Sequence, residues 1–423
     1  MTVTDARVGG MKVIVIGAGI GGLALASGLR QVGVETTVYE RDRDLSDTGG
    51  YHLHLHSRAL SALRILLDPP TLEQLYGSAA DGSVDLTSAM RDHRGRLLRI
   101  EHLDEAGQSV NIDRVTLRML LAHPVMEELR CGKTFTEAAV STDGSVEARF
   151  EDGSVDRADL LVGADGVASR VARHLSGGQP TSKSVGLIGV GGFTPVGEVS
   201  EQLRDYLGSD RSNFAVGPDG SGLYIGYHDP VGHAVLNVPL IRPPVTDAAT
   251  YIWGAMLAET TSARELLGIR GTELRAAVVE RLNLAGWSKL LVGIIASAAE
   301  RGLAAFRLQA ADPQRIAPWP AGPICAIGDA IHAVPPTGGQ GAATAILDAG
   351  LLCREVAAAE RAEKSLVMAV NDYYCGMRPY AQDAVEQSLG PIAWMRRTAT
   401  PPGRVALQTL GLLTAVQQWR RLR

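Results

Sequence analysis

Aromatic side chains are scarce. Phe, Trp and Tyr together make up 5% of the 423 residues, which points any apolar pocket toward an aliphatic lining. Cysteine is scarcer still. Cys131, Cys325, Cys353 and Cys375 stand apart with no Cys-x-x-Cys pair, which argues against a disulfide framework or a zinc site and suits reduced thiols in a cytoplasmic protein. No stretch approaches the ~20 apolar residues of a membrane-spanning helix, so stable membrane insertion is not expected. The apolar run 13–16 near the start is too short for a secretory signal and leads straight into glycines. A net charge of −5 leaves no basic excess for nucleic acid. Internal repeats and low-complexity tracts are absent. The rest is ordinary: 45% apolar and 21% charged residues, and length enough for two or three domains.

Glycine is the feature that is present, and it gathers in loops. Residues 12–16 are a short, β-branched, continuous apolar run, the pattern of a buried parallel strand. Gly17-Ala18-Gly19-Ile20-Gly21-Gly22 follows and fits G-x-G-x-x-G. Helix formers occupy 23–31, and a second strand over 34–40 ends in Glu40. The spacing has a mechanism. Gly17 permits a tight turn, Gly19 lets a pyrophosphate approach the backbone, and Gly22 lets helix and strand pack closely. The helix N-terminus offers free N–H groups to phosphate. Glu40 can accept both ribose hydroxyls and disfavours a 2′-phosphate, so this site is expected to hold FAD or NAD. Arg41 is placed to lie over the adenine or meet phosphate.

Two later loops repeat the idea. A hairpin over 145–150 and 154–162 turns at Asp152-Gly153 and runs into Gly163-Ala164-Asp165-Gly166. A buried strand over 323–329 runs into Gly328-Asp329, then a Pro/Gly loop through Pro336 and Gly339, then a helix over 339–358. Asp329 can accept a ribityl hydroxyl. The helix start near Gly341 can face negative charge developing on a reduced flavin. Elsewhere, 52–56 alternates His and Leu, 58–67 and 117–129 read as helices, 184–242 as successive antiparallel strands with Gly and Pro punctuation, and 262–285 as helix. The tail is helical with a break at Pro401-Pro402-Gly403.

These three signatures, in this order, resemble the single-component flavin monooxygenases of the para-hydroxybenzoate hydroxylase type, closest in texture to tetracycline-inactivating and antibiotic-tailoring hydroxylases. Leu53-His54-Leu55-His56 and the run Asn111 to Arg118 are similar to stretches of those enzymes. The resemblance implies an α/β fold: a Rossmann-like FAD domain (1–75, 100–173 and 300–365), an inserted mainly antiparallel substrate domain (76–99 and 174–299), and a helical C-terminal region (366–423). It implies that Gly17, Ala18, Gly19, Gly21, Gly22, Glu40 and Arg41 hold the ADP half. Arg114 would reach the pyrophosphate or ribityl region, His54 the flavin, and Asp165 and Gly166 belong to a motif used for FAD and NAD(P)H. Gly328, Asp329, Gly339, Gly341, Ala342 and Ala343 would bind the ribityl chain and ring. Ala343 stands where the family usually has Asn.

The reaction so implied uses NAD(P)H and O₂, through a flavin C4a-hydroperoxide, to hydroxylate or epoxidise an aromatic or polyketide-type substrate. Phe214, Tyr224, Tyr227, His228 and Pro336 are expected along the substrate wall; no catalytic base is identifiable. His52, His54 and His56 alternate on one strand face, but no carboxylate completes a metal set, so no metal is expected. A monomer or homodimer is expected. Two rivals lack their motifs. There is no Trp-x-Trp-x-Ile-Pro segment for a halogenase, and no second G-x-G-x-x-G unit for a two-dinucleotide reductase. A non-redox cyclase that uses FAD as a structural element is the alternative function.

Overall fold

The computed structural model describes residues 10–46, 52–82, 87–102, 108–229 and 248–410. The strand expected over 233–241 lies outside them, as does the end of the tail.

A five-stranded parallel sheet organises the first layer, in the order Ile324–Ala326, Leu160–Gly163, Lys12–Ile16, Glu35–Tyr39, Leu129–Arg130. Its centre is apolar on both faces because both are covered. Val13 and Val15 pack toward the helices Ile20–Gln31 and Gly341–Glu360. Ile14 and Ile16 pack toward Phe135, Ala148 and Phe150 of a small antiparallel sheet on the other side. Period-2 alternation thus feeds two cores from one strand.

The expected hairpin is split between two sheets. Val155–Ala158 stays with Val146–Phe150, while Leu160–Gly163 crosses into the parallel sheet beside Lys12–Ile16. The hinge is Asp159. Its N–H donates to the Lys12 carbonyl at 2.9 Å, and its carboxylate accepts the Lys12 N–H at 2.9 Å. The helix expected over 117–129 instead runs Arg114–Ala122, capped by Asp113, which accepts the Thr116 N–H at 2.8 Å. Pro124 then forces a tighter turn over His123–Val125, and the chain returns as an edge strand.

The second layer is a seven-stranded sheet, in the order Ala304–Ala311, Ser182–Pro195, Thr250–Ala258, Gly222–His228, Ser212–Val216, Thr87–Asp92, Leu97–His102. All its pairings are antiparallel except that of Ser212–Val216 with Thr87–Asp92. One face carries Val190, Leu223 and Trp253 against Leu274, Val278 and Leu291 of two helices. The opposite face carries Phe214, Met256 and Leu308 against Val385, Ile392 and Met395 of the long helix Leu366–Thr398. Val334 of the third glycine loop belongs to this second cluster, so that loop is pinned between the layers.

Gly17 sits at φ +108°, where a Cβ would come 2.3 Å from the Ala164 carbonyl oxygen. A Cβ on Gly22 would come 2.2 Å from the carbonyl oxygen of Gly17. At Gly19 it would meet nothing closer than 3.9 Å. Gly22→Ala is therefore expected to lower the unfolding free energy of the FAD-free protein by about 2 kcal/mol or more. Gly19→Ala, at a helix N-cap with free space beside it, should cost less, about 1 kcal/mol or below. Urea titration checks both, and equal midpoints for the two variants would refute the assignment.

Candidate dinucleotide site

Three loops leave the parallel sheet at the same edge. They follow Lys12–Ile16, Leu160–Gly163 and Ile324–Ala326, which are neighbours, so residues far apart in sequence meet at the strands' C-terminal ends. The meeting is close. Gly21 would place a Cβ 3.1 Å from that of Ala345, and Gly341 would place one 3.9 Å from an Asp329 carboxylate oxygen.

Two long helices start at this edge without a side-chain cap and without an acid in the first turn: Ile20–Gln31 after Gly19, and Gly341–Glu360 after Gln340. Most other long helices are capped, by His56, Asp68, Asp113, Ser288 and Ser365. Free N–H groups and the positive end of the helix dipole therefore point into the groove from two sides. The glycines there divide into two kinds. Gly17, Gly21, Gly22 and Gly328 are small because protein fills the space beside them. Gly19, Gly339 and Gly341 have room beside them that no described side chain takes.

Glu40 is buried at the end of the second strand, 6% exposed. Its Oε2 accepts the Ala18 N–H at 2.7 Å and an Arg118 N–H at 3.2 Å, and its Oε1 accepts the Asp42 N–H at 3.0 Å. One acceptor position of Oε1 remains for a hydroxyl. Arg118 also donates to the carbonyls of Ala18 and Leu45, each at 2.8 Å, and so ties the first glycine loop to the loop after Glu40. Arg118 was not singled out from sequence. The signal was available, since Arg114 and Arg118 are one turn apart on a helix with an apolar face.

Arg114 is half-buried and has no hydrogen-bond or ion-pair partner within reach among the described residues. Burial lowers its pKa, and Asp329 pulls the other way. Asp329 is surface-accessible yet surrounded by protein, the situation of a group on the floor of a groove. That surrounding pushes its carboxyl up from the ordinary range. Its protein hydrogen bond is a long one, from the Val334 N–H at 3.5 Å.

Several expected contacts are assigned other work by the structure. Asp165 caps the helix Arg170–Leu175: it accepts the Ser169 hydroxyl and the N–H groups of Arg170 and Val171 at 2.7 and 3.3 Å. Burial raises its pKa, against those hydrogen bonds. Gly166 lies beside it at φ +75°, open to space. The Arg41 side chain is 72% exposed and only loosely paired with Asp42, away from the buried Glu40. Gly21 makes helix–helix contact, and the Ala343 side chain is fully buried in the core rather than along the groove. Ala18 is buried and contributes its backbone, while Ala342 and Pro336 remain accessible near Gly339 and Gly341.

Alternation sorts the residues expected along a substrate wall onto two faces of the large sheet. Phe214 and Tyr224 are register partners and lie on the face that meets the third loop, and His228 shares their parity. Phe214 stacks at 6.0 Å on Trp394 from the long helix. Tyr227 has the opposite parity and packs at 5.5 Å against Tyr251 in the helix-covered core, so it leaves the wall. His52 lies 5.3 Å from His228, edge to face, linking the strand His52–Leu55 to the large sheet. His54 Nδ1 is 2.9 Å from Asn111 Oδ1, and His56 caps a helix by accepting the Ala59 N–H. The three histidines thus do three different things, and no metal-like cluster of three His, Cys, Asp or Glu exists among the described residues. No helix among them is long and apolar enough to cross a membrane.

Comparison with known proteins agrees with the geometry. A family profile described as an FAD binding domain matches residues 10–225 and 301–388. The chain is 27% identical over 348 residues to the FAD-dependent urate hydroxylase of Mycolicibacterium vanbaalenii, covering 80% of this chain and 78% of the relative. It is 28% identical over 386 residues to 2-heptyl-3-hydroxy-4(1H)-quinolone synthase of Mycobacteroides abscessus, covering 88% and 87%. The fold matches that of Klebsiella pneumoniae HpxO, solved with FAD and uric acid, with a TM-score of 0.73, 21% identity and coverage of 95% and 92%. The matched profile takes in more than two thirds of the chain, which belongs to the FAD-binding-domain family of FAD-dependent monooxygenases and hydroxylases.

Proposed function

We propose that this enzyme hydroxylates a flat aromatic or polyketide-type small molecule, using NAD(P)H and O₂, with FAD lying in the groove between the three glycine loops. The observation that carries the proposal is the emptiness beside Gly19, Gly339 and Gly341, directly around Arg114 and Asp329, whose polar atoms the protein leaves largely unused. An extended dinucleotide fits such a cradle: a Cβ at Gly19 or Gly341 would meet nothing closer than 3.9 Å, and Gly339, which its left-handed backbone at φ +65° also favours, opens onto free space. In that pose Glu40 takes a ribose hydroxyl, the helix at Ile20–Gln31 faces the pyrophosphate, and Asp329 accepts from the ribityl chain.

Bound FAD supplies the hydride and oxygen chemistry, by which one oxygen atom reaches the substrate and the other leaves as water, at the cost of one NAD(P)H and one proton. The protein's own contribution is placement. The start of the helix Gly341–Glu360 favours negative charge that develops beside it. Phe214, Tyr224 and His228 form one wall of a substrate space, and the core cluster around Val334 closes it against water. Relatives named for urate and for a quinolone support a flat, fused-ring substrate. A cytoplasmic setting suits the four free thiols. The non-redox cyclase is the alternative reading; Ala343, where the family usually has Asn, is itself buried in the core, so flavin contact there falls to backbone groups.

Gly19→Val should leave the FAD-free fold intact yet weaken FAD binding at least about a hundredfold, because its methyls occupy the phosphate path. Fluorescence titration of the apoprotein measures this, and unchanged affinity would move the cofactor elsewhere. Anaerobic mixing of the yellow holoenzyme with NADPH, with urate or 2-heptyl-4-quinolone as probes, tests the redox step. Bleaching that a probe accelerates about tenfold or more supports a hydroxylase. Failure to bleach with either NADH or NADPH supports the cyclase.

A further inference from the structure

Behind the third glycine loop lies a charged cluster built from three helical segments. Asp348, on the helix Gly341–Glu360, and His332, at the end of the turn Asp329–His332, are both fully buried. His332 Nε2 is 2.5 Å from Asp348 Oδ2. The same oxygen accepts the Gly328 N–H at 2.7 Å, and Tyr380 of the long helix donates to Oδ1 at 2.7 Å. The Gly328 carbonyl accepts the N–H groups of Ile331 and His332 at 2.9 and 3.0 Å. Gly328 is therefore held on both sides of its Cα, by Asp348 at its N–H and by the following turn at its carbonyl, at φ +61°, ψ −145°, a conformation that suits only glycine.

Packing alone gives no reason for charge here, because a buried ion pair is seldom more stabilising than an apolar pair of the same shape. Its position supplies the reason. Arg114, Asp329, His332 and Asp348 alternate in sign from the groove inward. Asp329 is faced by Arg114 from the helix Arg114–Ala122, by His332 from its own turn, and by Asp348 from behind. His332 is faced by Asp348 and Asp329. Tyr373 and Tyr380, beside Asp348, are kept protonated by burial and by that carboxylate, and Arg58 lies beyond, over the Tyr380 ring. Burial, and to a smaller extent the Asp348 carboxylate, push Asp329 toward its neutral form, while His332, the Val334 N–H and Arg114 oppose them; the His332 contribution outweighs that of Asp348, so loss of the pair leaves Asp329 more easily protonated. Burial also disfavours a charge on His332, but Asp348 outweighs it and leaves the imidazole above its ordinary pKa.

We propose that His332 and Asp348 are positioning residues for the cofactor: the pair holds Gly328 by its N–H and so sets the place of the Asp329 carboxylate that accepts a ribityl hydroxyl. This rests on Asp329 being an FAD contact. An ionised carboxylate accepts a stronger hydrogen bond than a neutral acid. Without the adjacent cation, Asp329 would protonate at higher pH, and FAD affinity would be present above that pKa and lost as pH falls through it.

The test uses the full chain and FAD itself. His332→Gln with Asp348→Asn keeps the shapes and a neutral hydrogen bond, so the FAD-free protein should melt close to wild type. Wild-type FAD affinity should be flat between about pH 6 and pH 8, while in the double variant it should fall about tenfold toward the acid end. Tyr380→Phe, which removes a hydrogen bond but no charge, should keep the flat profile. A flat profile in the double variant, or a Tyr380→Phe profile that bends equally, overturns the proposal. Asp329→Asn separates the two layers. If it binds FAD as wild type does at every pH, the cofactor contact itself is wrong; if it weakens binding while the double variant does not, only the role of the pair is wrong. Should the double variant not fold, ¹⁵N NMR of the wild-type His332 ring decides, since a neutral imidazole near pH 7 overturns the proposal.

Discussion

The gap between Gly17 and the Ala164 carbonyl is the constraint on which the rest of the site depends. Two loops, one near the start of the chain and one after a long excursion, share a space that admits no methyl group. That contact exists because Leu160–Gly163 leaves its hairpin and inserts between Lys12–Ile16 and Ile324–Ala326. The insertion brings the third loop alongside as well, and three glycine loops become one groove. A wider sheet spacing would separate the loops; a bulkier residue at Gly17 would do the same from the other side. The site is thus a consequence of parallel strand order more than of any single side chain.

Charge completes what the backbone begins. Glu40 and Arg118 form a buried pair at one end, each less than a tenth exposed, and His332 and Asp348 form another at the opposite end. Both pairs are stitched to backbone N–H or carbonyl groups of a glycine loop. Burying charge is costly unless every partner is in place. Here most partners are loop peptides, so each pair fixes a loop in return, although His332 Nδ1 is buried without a hydrogen-bond partner among the described residues. Between them lie Arg114 and Asp329, which the protein leaves under-bonded and a ligand can therefore use.

Much of this was legible in the sequence, and the reasons for the misses are specific. The first βαβ unit, Glu40 and the strand before Gly328 follow from local periodicity and glycine spacing, which need no tertiary information. The strands Thr250–Ala258, Ala304–Ala311 and Thr87–Asp92 were not read from sequence because they contain Gly, Ala or charge where strand patterns want branched side chains. Asp165 looked like a ligand group and is a helix cap, since Ser169 and the N–H groups of Arg170 and Val171 already claim it. Arg41 follows an important acid, but adjacent residues on a strand end point apart, and it faces solvent. Asp348 stood in view as an acid in an apolar helix, but its partner His332 lies in a different segment and is visible only in three dimensions.

The substrate wall shows how far parity alone can carry a functional inference. Tyr224 and Tyr227 are three residues apart, so in a strand they cannot share a face. Tyr224 pairs with Phe214 toward the third loop, and Tyr227 is spent on the opposite core with Tyr251. The face that remains is thin in side chains at its middle. Gly254 is the register partner of Tyr224, and a Cβ there would meet nothing within 4 Å. Phe214 and Met256 make this face apolar there, with the Tyr224 hydroxyl as its polar group and the His52–His228 contact at its end. In a strand, therefore, parity decides which of two nearby tyrosines faces the third loop and which is spent on the opposite core.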